Sequence, residues 1–231
     1  MNADHMEGMN VIRIHTLLTG QPQAMSDEKG TWRSAIFRTP ASGPVELEER
    51  GLAGDQVADT EHHGSLYQAV CCHPIAHYAY WNDLYSIAGT RKELGPGSVG
   101  ENWTLEGVTE RDVCVGDIYA VGDARVQVTG PRYPCSKQER KVGLPGFLKR
   151  TMETRRTGFY LRVLTPGMVS PGDFLMLEER PYPELTVQRL NDNGHGEVDP
   201  AFARRALEVP ELMPTWRYIL RTKLGDERPV E

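Results

Sequence analysis

"DVCVGDIYAVGDARVQVTG", residues 112–130, decides how this chain folds. Val113, Val115, Ile118 and Ala120 take every second or third place, and Ala124, Val126 and Val128 then alternate strictly with polar residues. Alternation with a period of two marks strands buried on one face. Gly122-Asp123 between the runs has the chemistry of a two-residue hairpin turn. The stretch predicts two or three strands, with Cys114 a core residue of the first. The pattern breaks at Gly130-Pro131. There "VTGPRYPCSKQE" (128–139) presents a single cysteine, Cys135, on proline-stiffened backbone, with Arg132 and Lys137 on either side.

Working outward, "MNVIRIHTLLTG" (9–20) suits a first strand, and residues 33–55 predict short strands and tight turns punctuated by Pro40, Gly43, Pro44, Gly51 and Gly54. "HPIAHYAYWNDLYSIAG" (73–89) is the clearest helix, with Pro74 suited to its first position. Residues 143–155 predict a short helix, and "TGFYLRVLTPGMVSPGDFLMLEER" (157–180) predicts two more strands around a Pro-Gly turn. After "RPYPELTV" (180–187) come three short helical patterns separated by Gly, Pro and Asp stops. The expectation is a mainly β (α+β) chain: a β-barrel body over 11–180, a three-helix appendage over 181–231 and a disordered lead-in over 1–10.

Composition narrows the function. The 231 residues carry a net charge of −6, which argues against general binding to nucleic acid, because backbone affinity needs clustered Lys and Arg. No apolar run approaches a membrane span, and the opening residues lack the pattern of a signal peptide. A cytoplasmic protein with free thiols is expected.

A thiol acts as nucleophile or metal ligand in its thiolate form, which positive neighbours favour. Arg132 and Lys137 suit that role, yet local sequence leaves Cys135 balanced between an inert thiol and a reactive one. Cys71 and Cys72 with His62, His63, His73 and His77 make a cluster in which zinc has to be weighed, although the spacing matches no standard pattern. Phosphate-loop and serine-hydrolase signatures are absent. Lys29, Arg33, Ser34, Arg132, Arg155, Arg156 and Thr157 sit in loops able to converge on a phosphate; the plainer reading of each is solvated surface.

Together, "GPVELEERGLAGDQVAD" (43–59), "HHG" (62–64), "AVCCHPIAHYAYW" (69–81), the run from Gly97 to Cys135 and "TGFYLRVLTPGMVSPGD" (157–173) resemble the MOSC domain family, in order and spacing. The helical tail resembles the appendage of its YiiM-like branch. The resemblance implies a closed β-barrel and molybdenum ligation by Cys135, with molybdopterin as the cofactor; a family-level association with pyridoxal phosphate binding comes with it. It implies cofactor contacts from Arg132, Arg156, Thr157, Arg33, Ser34, Lys29 and His63, with Asn102 and Asp55 fixing the pocket. It also implies reduction of N-hydroxylated small molecules such as N-hydroxylaminopurines, with electrons from a separate flavin-dependent reductase. Where the family usually reads His-Gly-Gly followed by a polar Asp/Arg pair, this chain reads "HGSLYQAV" (63–70), which bears on the substrate. Two alternatives stand beside this: a carrier of the cofactor or its sulfur, and a metal-free thiol enzyme pairing Cys135 with His62 or His63 as base.

Overall fold

The computed structural model describes residues 11–87, 89 and 93–227, with Glu61 and His62 described in backbone only. The predicted lead-in over 1–10 lies outside the described residues. In chain order, β1 (Ile12–Thr19) leads into a hairpin of β2 (Gln23–Asp27) and β3 (Gly30–Ser34), then the short strands β4 (Thr39–Pro40), β5 (Val45–Glu48) and β6 (Gly51–Leu52). Next come α1 (Thr60–His63), β7 (Val70–Pro74), α2 (Ala76–Leu84), β8 (Trp103–Glu106), β9 (Ile118–Val121) and β10 (Ala124–Pro131). Helices α3 (Ser136–Val142) and α4 (Phe147–Thr154) precede β11 (Phe159–Thr165), β12 (Gly167–Val169) and β13 (Phe174–Glu179). The chain ends in α5 (Val187–His195), α6 (Pro200–Leu207) and α7 (Pro214–Leu224). No described helix is long and apolar enough to cross a membrane.

Seven strands form a closed barrel in the order β13-β9-β10-β11-β7-β8-β1, and β1 returns to β13 through Ile12↔Leu175 and Arg13↔Phe174. Closure leaves these strands no open edge. The β9–β10 hairpin turns at Gly122-Asp123, with Val121 opposite Ala124, as its sequence predicts. Inward residues including Ile14, Leu17, Trp103, Leu105, Val128 and Leu161 pack the interior. Each large apolar side chain so buried contributes about 1.5–3 kcal/mol.

Several local expectations change. Pro74 ends β7 instead of opening a helix: β7 pairs in parallel with β8 (Pro74↔Leu105), and the Ile75 N–H donates to the Leu105 carbonyl at 2.8 Å. Barrel pairing overrides the helical preference of Pro74, and α2 begins at Ala76. Residues 157–180 give three strands, because Gly167–Val169 pairs with β5. Cys114 is buried but outside the regular strands, bridging Thr186. Directly after Cys135 the backbone coils into α3.

The terminal helices carry local start signals. Asp199 caps α6 by accepting from the Ala201 and Phe202 N–H groups, and Pro200 and Pro214 occupy first-turn positions. Their apolar faces (Leu190, Phe202, Met213, Trp216 and Leu220) pack on Cys71 and Tyr160 of the barrel. Trp216 Nε1 donates to the Pro131 carbonyl at 2.6 Å, and Met213 N to Thr129 at 3.0 Å. Gly130 permits this approach: its φ is 151°, and a Cβ there would meet Trp216 Cδ1 at 3.2 Å. α7 thus clasps the strand that leads to Cys135.

Candidate functional site

At the end of β10 the chain turns through Arg132 and Tyr133 to Cys135, which takes extended backbone (φ −123°, ψ 159°) as the residue capping α3. Its side chain makes no capping hydrogen bond. The half-buried thiol faces a cleft, open to solvent, with Arg132, Ser34, Arg38, Asn102 and Lys137. An adjoining hollow, lined by Arg50, Ser65 and Asp55, shares Arg38, Gln56, His63, Gln68 and Asn102 with it.

One wall is a closed hydrogen-bond system. Asp55 accepts from Gly20 N at 2.8 Å, from Arg38 Nε and Nη2 at 2.8 Å each, and from Asn102 Nδ2 at 2.9 Å. Arg38 Nη1 donates to the Gly100 carbonyl at 2.6 Å, and Asn102 Oδ1 accepts from Cys71 N at 3.1 Å. The two-pronged Arg38–Asp55 pair ties the loop before β4 to the turn after β6.

The other wall is open. Arg132 is 5% exposed; its Nη2 donates to the Val99 carbonyl at 2.8 Å, and its Nη1 has no partner among the described residues. Burial opposes the guanidinium charge, but ionisable Cys71, Tyr160, Cys135 and Glu101 around it raise its pKa overall. Lys137 stands on the rim, 3.8 Å from Asp59. A second thiol, Cys71, also lines the cleft; burial pushes its pKa up, and Arg132 and Arg38 pull part of that back. Lys141, pushed down to about 8 by burial, ties the neighbouring loops by donating to the Ile36 carbonyl at 2.7 Å and to Gly97.

Cys135, Arg132, Ser34, Asn102 and His63 therefore meet around one cleft, and Asp55 stands in the adjoining hollow. Four predicted cofactor contacts lie elsewhere. Lys29 and Arg33 are exposed on the β2–β3 hairpin, and alternation along β3 buries Ser34 while turning Arg33 outward. The guanidinium of Arg156 stacks on Tyr80 at 3.8 Å from the ring centre. Thr157 is buried, its Oγ1 accepting from Asn191 Nδ2 at 2.9 Å and donating to the Gly158 carbonyl. Among the described residues no group of three His, Cys, Asp or Glu is placed to hold a metal ion. Cys71 and Cys72 face opposite sides of β7, Cys72 packing inside the barrel.

Sequence reasoning missed Arg38 and Gln56, raised Cys71 only as part of a zinc cluster, and raised Gln68 only as part of the 63–70 loop that bears on the substrate. A signal existed for Arg38: a basic residue leaving a buried strand end needs a carboxylate, and Asp55 is available in the Gly-rich turn.

Residues 59–175 match the MOSC domain family. The chain belongs to that family. Among relatives of this MOSC protein, YflK of Bacillus subtilis is 35% identical over 219 residues, covering 94% of this chain and 97% of YflK. A protein of Gibberella moniliformis named a reductase is 37% identical over 172 residues, which cover 70% of this chain and 29% of that protein. The crystal structure of YiiM from Geobacillus stearothermophilus superposes with a TM-score of 0.77 at 33% identity, covering 92% of this chain and 99% of YiiM. The barrel and its terminal helices are thus a shared architecture.

Proposed function

We propose that this MOSC protein is a molybdenum-cofactor-dependent reductase of N-hydroxylated compounds, N-hydroxylaminopurines among them, with electrons from a separate flavin-dependent reductase. One observation carries the reading: a half-buried thiol and a buried guanidinium with a bare Nη1 share one cleft. The residues fit the group. A thiolate is the soft ligand a sulfur-bound redox metal takes, and the positive charges of Arg132 and the rim lysine favour a phosphate.

In this reading Cys135 holds the metal, while Arg132, Ser34 and Lys137 hold the phosphate end. Arg38, Asp55 and Asn102 keep the opposite wall rigid and so preserve the distance between thiol and wall. When bound, the molybdenum cofactor supplies the two-electron reducing centre for the N–O bond. The adjoining hollow, with Gln56, Gln68 and Ser65, offers amide and hydroxyl groups to orient a flat, hydrogen-bonding substrate, and His63 stands where the two spaces join. The name of the Gibberella moniliformis relative, a reductase, supports reduction.

The test is turnover of 6-N-hydroxylaminopurine by protein purified from a cofactor-competent host, supplied with a flavin reductase. Turnover that Cys135→Ala abolishes is expected. Stoichiometric cofactor without turnover under any reductase would instead identify a carrier.

A further inference from the structure

Arg132 also borders a set of buried polar side chains to which the proposed function gives no part. His73, His77, Glu101, Glu110 and Tyr78 are each at most 5% exposed. His77 Nε2 meets the two Glu110 carboxylate oxygens at 2.8 and 3.1 Å, and Gly158 N donates to Glu110 at 2.7 Å. Burial raises the Glu110 pKa, but the His77 hydrogen bond and charge and the Gly158 N–H outweigh it and leave the carboxyl below its usual range. A second carboxylate, Glu101, accepts through Oε1 from Tyr78 Oη at 2.5 Å, Thr104 Oγ1 at 2.7 Å and Gly97 N at 2.7 Å. The His73 ring touches both groups, its centre 5.3 Å from that of His77 and 5.2 Å from that of Tyr78.

Four buried atoms here have no hydrogen-bond partner among the described residues: His73 Nδ1 and Nε2, Glu101 Oε2 and Arg132 Nη1. Native interiors rarely leave such atoms bare, and ordered water is the usual occupant. The four are complementary in kind. Arg132 donates, Glu101 accepts, and a neutral imidazole does one of each, which is what a short water chain requires. Burial first, then His77 and with them Arg132, hold the His73 ring neutral, against the pull of Glu110 and of the Thr157 backbone beside the ring.

Removing an N-hydroxyl oxygen consumes protons as well as electrons: R–NHOH + 2e⁻ + 2H⁺ → R–NH₂ + H₂O. The N–O bond breaks, the electrons come from the flavin reductase, and the oxygen leaves as water. We propose that His73, Glu101 and Arg132 enclose a hydrated chamber that passes protons, resupplied from solvent by way of His77, to the cleft at Cys135. The chamber's role rests on the reductase reading; its hydration does not.

The tests separate the two. A crystal structure of the cofactor-free protein that orders its solvent should show water bonded to His73, Glu101 Oε2 and Arg132 Nη1. A dry interior there overturns the proposal whatever the activity. In cofactor-loaded protein with its reductase, His73→Phe lowers kcat by about 10²-fold. KM and molybdenum content stay unchanged, and the solvent isotope effect on kcat rises. Glu101→Gln, which keeps the side-chain volume and the Oε1 contacts, shifts the same readouts and covers a His73 variant that folds poorly. Unaltered kcat and isotope effect in both, beside an active wild type, refute the relay alone. A wild type that never turns over refutes the reductase reading and removes the relay's role with it.

Discussion

On one side of the cleft Asp55 accepts four hydrogen bonds and Arg38 spends three nitrogens on protein groups; on the other, Arg132 keeps Nη1 bare and Cys135 caps nothing. Both sides carry a mostly buried arginine, but the partners differ. A saturated charge pair fixes a shape, whereas a buried donor left open is costly unless something else fills it. The first wall reads as structure and the second as receptor, and substitutions on each should therefore separate stability from binding.

The largest effect is expected at the saturated wall. Asp55→Ala strands Arg38 and should cost about 3–5 kcal/mol in urea unfolding. A loss under about 1 kcal/mol, the worth of an exposed pair, would break the contrast. Next comes Arg132→Met, which removes a buried cation with one unpartnered nitrogen. Its unfolding midpoint should stay near wild type. Cofactor retention on dilution should weaken by about 1.5–3 kcal/mol, the worth of hydrogen bonds to a charged group. A large stability loss with unchanged retention would make Arg132 another structural wall.

Trp216→Phe sharpens the comparison from the tail side. It keeps the aromatic packing but strips the donor from the Pro131 carbonyl, at about 1–2 kcal/mol. Cofactor retention should fall with it, since the Arg132–Cys135 segment loses its clasp. The smallest effect concerns pH. His195, between the Tyr133 and Trp216 rings, is pushed from 6.5 to about 4, by burial first and then by Arg155 and Lys223. The unfolded chain therefore takes up this proton first, and stability falls as pH drops from 6.5 towards 4. His73 acts in the same direction. Thermal unfolding across that window should show a flatter slope in His195→Gln.

What could be read in the sequence was local. The Gly122-Asp123 hairpin needs only alternation and turn chemistry, and both lie within a few residues. Cys135 stood out through its prolines and charges and through the family resemblance. α3 escaped notice because only Gln138 and Val142 of its seven residues are buried, too few to print an apolar stripe. Pro74 misled because a parallel partner about thirty residues away decides its conformation. Arg33 and Arg38 look alike in sequence. Strand alternation turns one outward, and a carboxylate 17 residues on draws the other in.

The most direct test of the central claim is elemental analysis for molybdenum in wild type and Cys135→Ala, both purified from a cofactor-competent host. Stoichiometric metal in the wild type and its loss in a folded Cys135→Ala are predicted. Equal molybdenum in both proteins, or none in the wild type, would contradict Cys135 as the metal's ligand.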